Sequence, residues 1–337
     1  MLAIDGSQGE GGGQMVRTAL ACSLLSGTPF RIENIRAGRR RPGLLAQHLA
    51  SVNAAAEIAA AGTEGAHLGS STLIFHPGKV SPGSYHFRIG TAGSTGLLLQ
   101  TVLVPLLSAK GMSQLIIEGG THNEAAPPFD FLKLTLAPIL RRIGANLTLS
   151  LDRPGFYPGG GGRIRVRVGG ASWQRLDLSE RGDIRSVWAR AIVSHLPRSI
   201  AERELAVVQT RLGWPTERLS LEEVDADGPG NAVLLGIECE QITEVFTGFG
   251  RRGLPAERVA AGAASRARNY LDSGVAIEMH LADQLLLPLT QAGGGSFLSS
   301  QPTGHFTTNA NLISRFFDLE IVTTPMGANL MIDCRIR

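Results

Sequence analysis

Cysteine is scarce. Cys22, Cys239 and Cys334 lie far apart with no paired spacing, which argues against a disulfide framework or a cysteine-built zinc site and points to a reducing cytosol. Long apolar runs are missing as well: the longest, such as LLLQTVLVPLL, are interrupted by Gln100 and Pro105. No membrane span is expected, and the opening MLAIDGSQGE lacks the basic stretch followed by an apolar one that marks a signal peptide. The expected location is cytoplasmic. Charged residues make up only 18%, with a net charge of +3, which excludes a disordered polyelectrolyte but leaves room for an anionic partner. Several catalytic signatures are absent: there is no Walker A loop, no G-x-S-x-G elbow, no H-E-x-x-H pair and no kinase set. GFGRRG at 248–253 does fit G-x-G-x-x-G. No parallel strand clearly follows its helix, so a dinucleotide site is not read there.

What is present is a chain of 337 residues, 43% of them hydrophobic. That suffices for a sizeable core and, at this length, for two domains or one domain carrying a large insert. Three stretches resemble one another: RTALACSLLSG from Arg17, QTVLVPLLSAKG from Gln100 and QLLLPLTQAGGG from Gln284. Each reads as a buried helix ending at glycine, followed by a short strand (FRIENI, QLIIE, SFLSS), a polar loop and a second helix. The spacing is nearly constant, with 22 residues from Arg17 to Arg39, 22 from Gln100 to His122 and 21 from Gln284 to His305. The expected fold class is α/β (α+β), with three like units around a pseudo-threefold axis whose loops meet at matching sheet ends. GFYPGGGGRIRVRV closes the second unit as a strand entered through a glycine turn. Between Ser179 and Ser273 the pattern stops, and a strand, a helix from Pro197, a hairpin and another helix suggest a small α/β domain inserted into the third unit. The expected boundaries are 1–180 with 274–337 for the large domain and 181–273 for the small one.

Three loops carry candidate chemistry. DGSQGEGGGQMVR can bring main-chain N–H groups against phosphate oxygens ahead of a helix N-terminus. Within it Glu10 offers a hard carboxylate oxygen for Mg²⁺, and Arg17 can reach a phosphate. NIRAGRRRPG holds Arg36, Arg39, Arg40 and Arg41 within six residues, a candidate polyphosphate or nucleic-acid backbone site. No aromatic residue interleaves with that cluster, so base stacking is not indicated there. QPTGHFTTNAN sets His305 on an expected loop, where a solvated polar residue is the ordinary reading.

In order along the chain, DGSQGEGGGQMVR, IRAGRRRPGLLAQHL, GTAGST, APPFDF, GFYPGGGG, HLADQLLLP and GHFTTN closely resemble the RNA 3'-terminal phosphate cyclase family, from about residue 4 to the C-terminus. The resemblance implies three repeats like the C-terminal domain of translation initiation factor three, plus an inserted small domain of thioredoxin-like topology. Enolpyruvyl transferases share that repeat, so the fold alone does not set the reaction. The implied reaction is ATP-dependent conversion of an RNA 3'-phosphate into a 2',3'-cyclic phosphate, with His305 as the nucleophile that becomes a covalent adenylate. The resemblance further implies Glu10 as ligand of Mg²⁺ (or Mn²⁺), Arg17 and Arg39 near the triphosphate, and Gln47 beside them. Pro127 and Phe131 would line the adenine pocket, Asp283 and Gln284 would support the nucleotide, and Gln100 sits at the matching helix start of the second repeat. His280 stands where the family often has an aromatic residue. His122 holds the spacing of His305 but matches no catalytic position, and is read as solvated loop. A non-catalytic branch of the fold, an RNA-binding protein of ribosome assembly, lacks the nucleophilic histidine.

Overall fold

In β2 (Phe30–Glu33) the sequence FRIE buries Phe30 and Ile32 and turns Arg31 and Glu33 to solvent, the period-2 pattern of a strand with one covered face. That alternation recurs through the computed structural model, which describes residues 1–336. Arg337, the last position of the expected large domain, lies outside the described residues. The first unit runs β1 (Leu2–Asp5), α1 (Gly13–Ser26), β2, α2 (Ala46–Ala59), β3 (Gly62–Glu64) and β4 (Leu73–His76). The second runs β5 (Ser84–Arg88), α3 (Thr95–Ser108), β6 (Ser113–Gly119), α4 (Phe129–Phe131), α5 (Ala137–Arg142), β7 (Asn146–Arg153) and β8 (Gly162–Gly169). Between α4 and α5 the helix widens into a π turn at Leu132–Leu136, where the Ala137 N–H reaches back to the Leu132 carbonyl. Pro138, which lacks an N–H, follows at once and interrupts the ordinary ladder.

After β9 (Leu176–Leu178) the chain leaves its sheet for a separate one, built from β10 (Ile184–Ser194), β11 (Leu219–Glu223), β12 (Gly230–Cys239) and β13 (Thr243–Phe249), with helices α6 (Ser199–Leu212) and α7 (Ala256–Ser273). It returns through α8 (Met279–Gln291), β14 (Gly294–Ser299), α9 (Gly304–Ile313), β15 (Leu319–Met326) and β16 (Asn329–Ile336). The fold is thus mixed α/β. Three sheets share one strand plan: β1-β2-β4-β3, β5-β6-β8-β7 and β9-β14-β16-β15 each begin with a parallel pair and continue antiparallel. The fourth sheet has the order β11-β10-β12-β13. Among the described residues no helix is long and apolar enough to cross a membrane.

The three leucine-rich helices begin earlier than their apolar periodicity suggests: α1 at Gly13 rather than Arg17, α3 at Thr95 rather than Gln100, and α8 at Met279 rather than Gln284. Their first turns are polar, so hydrophobic spacing marks only the buried later turns. Side-chain caps account for two of these starts. Ser94 Oγ accepts from the Leu97 N–H at 3.2 Å, and the Glu278 carboxylate accepts from the His280 N–H at 2.7 Å.

His122, read above as solvated, is buried. Its Nε2 lies 2.9 Å from Asp130 Oδ2, its Nδ1 2.8 Å from Thr121 Oγ1, and its ring stacks on Phe156. Asp130 also pairs with Arg190 of β10, so the cluster ties the second sheet to the fourth. The segments that cover it, Phe156 and through Asp130 the strand β10, lie beyond its neighbours in sequence, which therefore do not reveal the burial.

Another buried acid gives a stability prediction. Glu204 on α6 is fully covered; Oε2 accepts from Asn231 Nδ2 at 2.9 Å while Oε1 has no partner. Burial pushes its carboxyl up to about 7. The folded state therefore keeps a proton that the unfolded chain gives up near 4.5, and the stability this proton contributes is lost as pH rises through about 7. Glu204→Gln should match the parent at pH 4 and exceed it at pH 8 by on the order of 1 to 3 kcal/mol. Urea unfolding at the two pH values checks this; equal differences at both would remove Glu204 as the cause.

Candidate active site

Three helix N-termini build the site. Helix α1 packs against α3 and α9, and α8 packs against α9, which brings the polar first turns of α1, α8 and α9 together. His305 is not on a loop: it occupies the first turn of α9, capped by Thr303, whose Oγ1 accepts from the Phe306 N–H at 3.1 Å. The Pro-Thr-Gly segment that resembles a turn is in fact the helix entry.

The glycine-rich loop before α1 folds against α9. Gly9 has φ of +58°, and a Cβ there would stand 2.3 Å from Thr308 Oγ1, so a side chain is barred on both counts. This close approach carries Glu10 to His305. The Glu10 N–H donates to Thr308 Oγ1 at 3.1 Å, and its Oε2 lies 3.7 Å from His305 Nε2 and 3.4 Å from Arg39 Nη2. Arg39 Nη2 also donates to the Glu10 carbonyl at 2.9 Å. Glu10 therefore stands between Arg39 and His305 with carboxylate lone pairs to spare. Arg36 serves its own loop instead, donating through Nη1 to the carbonyls of Arg41 and Gly43. The side chains of Arg40 and Arg41 make no hydrogen bond or ion pair with described residues.

Beside this cluster opens a cavity of about 480 Å³. Arg17, Gln100, Pro127 and Phe131 line one side, and Phe246, Phe249 and Arg266 from β13 and α7 line the other. His280, Asp283 and Gln284 enter from α8 at i, i+3 and i+4 spacing, which puts them on one face. His305 reaches the same cavity. Gln100 Nε2 donates to Gln284 Oε1, and Gln284 Nε2 donates to the His280 carbonyl at 3.0 Å. His280 is held by Glu278, whose carboxylate lies 2.8 Å from Nδ1 and raises the imidazole pKa. Gln47 lies outside the cavity wall: its Oε1 accepts from the Ser94 N–H at 3.0 Å and fixes the entry to α3.

Cations and acids share the cavity wall, Arg17 and Arg266 standing with Asp283 and Glu278. Arg17 has no hydrogen bond or ion pair with any described residue, and burial pushes its guanidinium down to about 10 against the opposing pull of Asp283. Burial likewise pushes the Asp283 carboxyl up to about 7, opposed by His280, Gln14 and Arg17. His48, buried behind the loop with Nδ1 accepting from the Leu45 N–H, is pushed down to about 3 by burial and then by Arg17 and Arg36. It stays neutral and adds no charge of its own.

Sequence reasoning missed Gln14, Thr308 and Asn309. Gln14 Oε1 lies 2.5 Å from His305 Nδ1, and its Nε2 donates to Asp283 Oδ2 at 3.1 Å. Asn309 Oδ1 accepts from Thr18 Oγ1 at 2.7 Å and fastens α9 to α1. One signal was available for Gln14: it stands at i−3 from Arg17 on a helix that begins at Gly13.

The family model described as RNA 3'-terminal phosphate cyclase matches residues 8–323. The chain belongs to the RNA 3'-terminal phosphate cyclase family. A protein of that name from Koribacter versatilis (strain Ellin345) is 51% identical over 318 residues, 94% of this chain and 90% of the relative. One from Ectopseudomonas mendocina (strain ymp) is 47% identical over 331 residues, 98% and 96% of the two chains. One from Pseudomonas aeruginosa (strain UCBPP-PA14) is 50% identical over 322 residues, 95% and 94%. The cyclase family match spans Glu10, the cavity and His305, all inside residues 8–323.

Proposed function

We propose that the protein is an RNA 3'-terminal phosphate cyclase: it uses ATP to convert an RNA 3'-phosphate into a 2',3'-cyclic phosphate through a histidyl-AMP on His305. The observation that carries the reading is the position of His305 in the first turn of α9, on the cavity wall, with Nε2 in no hydrogen bond and 3.7 Å from Glu10. The Nε2 lone pair attacks the α-phosphorus, a P–N bond forms, and the bond to pyrophosphate breaks. The RNA phosphate then takes the AMP from His305, and the adjacent 2'-OH attacks it, closing the ring and expelling AMP. Without that leaving group the 2'-OH would have to expel an oxide or hydroxide. Each displacement relies on positioning and charge neutralisation.

Within this reading Pro127 and Phe131 flank the adenine with His280 at the rim, Gln100, Asp283 and Gln284 support the nucleotide, and Arg17 and Arg39 take the phosphates. Gln47 acts at one remove, by holding Ser94. The donor set suits Mg²⁺ or Mn²⁺: Glu10 is a single hard carboxylate with no hydrogen bond shorter than 3.4 Å, and such ions keep waters and substrate phosphates as their other ligands. Bound there, the ion would offset charge on the departing pyrophosphate. Residues 181–273 are taken as the small domain, supported by the pairing of β10–β13 among themselves. The three free, buried cysteines suit a reducing cytoplasm.

Incubation with α-labelled ATP and Mg²⁺ tests the reading. An adduct stable to alkali and labile to acid is expected, and no adduct would favour the RNA-binding alternative. The arginine assignment has its own test. Arg39→Ala should slow adenylation by on the order of 1.5 to 3 kcal/mol, and Arg41→Ala by under about 0.5, because Arg39 contacts Glu10 while Arg41 is solvated. Single-turnover rates decide it; equal losses would undo the assignment.

A further inference from the structure

A histidine can attack through Nε2 only in the tautomer that carries its proton on Nδ1. What fixes that tautomer is a chain of two hydrogen bonds. Gln14 Nε2 donates to Asp283 Oδ2 at 3.1 Å, so the same amide turns its oxygen to His305 Nδ1, 2.5 Å away. An amide oxygen only accepts, which obliges Nδ1 to be the donor and leaves Nε2 bare. The orientation of the amide rests in turn on Asp283, because an ionised carboxylate accepts and cannot donate.

We infer that Asp283 acts as a positioning residue which, through the Gln14 amide, holds His305 in the Nδ1–H tautomer and so keeps Nε2 ready to attack. The inference deepens the adenylation reading above and rests on it for its consequence, though the tautomer itself can be observed without any reaction. In the attack no proton need leave beforehand: Nε2 supplies the electron pair, pyrophosphate takes the P–O pair, and Nδ1 keeps its hydrogen. The resulting imidazolium donates that hydrogen to Gln14 Oε1. Were the amide reversed, its NH₂ would face Nδ1, the ring proton would sit on Nε2, and no lone pair would face phosphorus.

The surroundings allow Asp283 to lose its grip. Its carboxyl sits near 7, and the charged or titratable groups acting on it are Arg17 on α1 together with His280 and Glu278 at the head of α8. A protonated carboxyl can donate as well as accept, so below that range the amide is free to turn and the tautomers mix.

The test uses the full chain labelled with ¹⁵N-histidine, with the His305 resonances assigned by their loss in His305→Asn. At pH 8 the wild type should show a protonated Nδ1 and an unprotonated Nε2. Asp283→Asn, similar in size but able to donate, should mix the tautomers and lower the adenylation kcat on the order of a hundredfold. Asp283→Asn combined with Gln14→Glu places an acceptor-only group directly on Nδ1 and should restore both the tautomer and most of the rate. His280 faces Asp283 and is expected to shift with it; unchanged resonances of the remaining six histidines show that the variants are folded. A wild type with its proton on Nε2, or an Asp283→Asn variant whose tautomer is unchanged, overturns the inference. A protein with the stated tautomer that forms no adduct overturns the adenylation reading and leaves the relay standing.

Discussion

His305→Asn eliminates the protein adduct formed from labelled ATP and lowers cyclisation from ATP by on the order of 10⁴-fold or more, the scale on which removal of a nucleophile acts. The fold survives the change. His305 is half exposed in the first turn of α9, and Thr303, not His305, caps that helix, so stability should move by no more than about 0.5 kcal/mol. Asparagine keeps a short polar side chain but has no nitrogen lone pair able to attack phosphorus. The more discriminating measurement supplies RNA whose 3'-phosphate already carries AMP. Ring closure there needs the 2'-OH, contacts to the phosphate and an AMP leaving group, none of which His305 supplies, so the variant should retain part of that activity. Loss of the second activity in step with the first would make His305 a general structural support. Persistence of the adduct would move the nucleophile elsewhere.

The helices α1, α3 and α8 were legible because their buried turns repeat the same leucine-rich pattern, and the strands because residues such as Phe30 and Ile32 alternate with charge. The helix starts were not: Gly13, Thr95 and Met279 open polar turns whose only local marks are caps such as Ser94 and Glu278. His305 reads as a loop residue for the same reason, since Thr-Gly-His carries no apolar period, whereas it opens α9. Resemblance supplied the family, and the comparisons bear it out. Local pattern alone would have left His305 a solvated histidine and Arg36 a phosphate ligand, where the structure spends Arg36 on its own loop carbonyls. Least legible were partners far apart in the chain. Gln14 touches Asp283 and His305, 269 and 291 positions away, and the His122–Asp130 pair is joined by Arg190 of β10, 60 positions beyond the aspartate. Such contacts are set by packing between units, which no window of sequence contains.

Arg17→Met separates stability from activity in opposite directions. In the wild type the guanidinium sits within the cavity wall without a hydrogen bond or ion pair to any described residue, and Asp283 attracts it only at a distance. A cation partly withdrawn from water without a partner costs some folding free energy, so an apolar side chain of similar length should leave the unfolding midpoint unchanged or raise stability by no more than about 1 kcal/mol. Adenylation should fall by about 10²- to 10³-fold, the range for removal of one group that stabilises charge developing in the transition state. The loss should appear in the single-turnover rate at saturating ATP as well as in affinity, because negative charge builds on pyrophosphate as it departs. Removing the cation also takes away one of the groups that oppose protonation of Asp283, so the acidic limb of the remaining activity should shift to higher pH. Calorimetry and rapid-quench adenylation on the same preparation read both quantities. A variant that unfolds earlier and adenylates normally would make Arg17 a structural cation; one that keeps its stability and loses the rate identifies it as the group that receives phosphate.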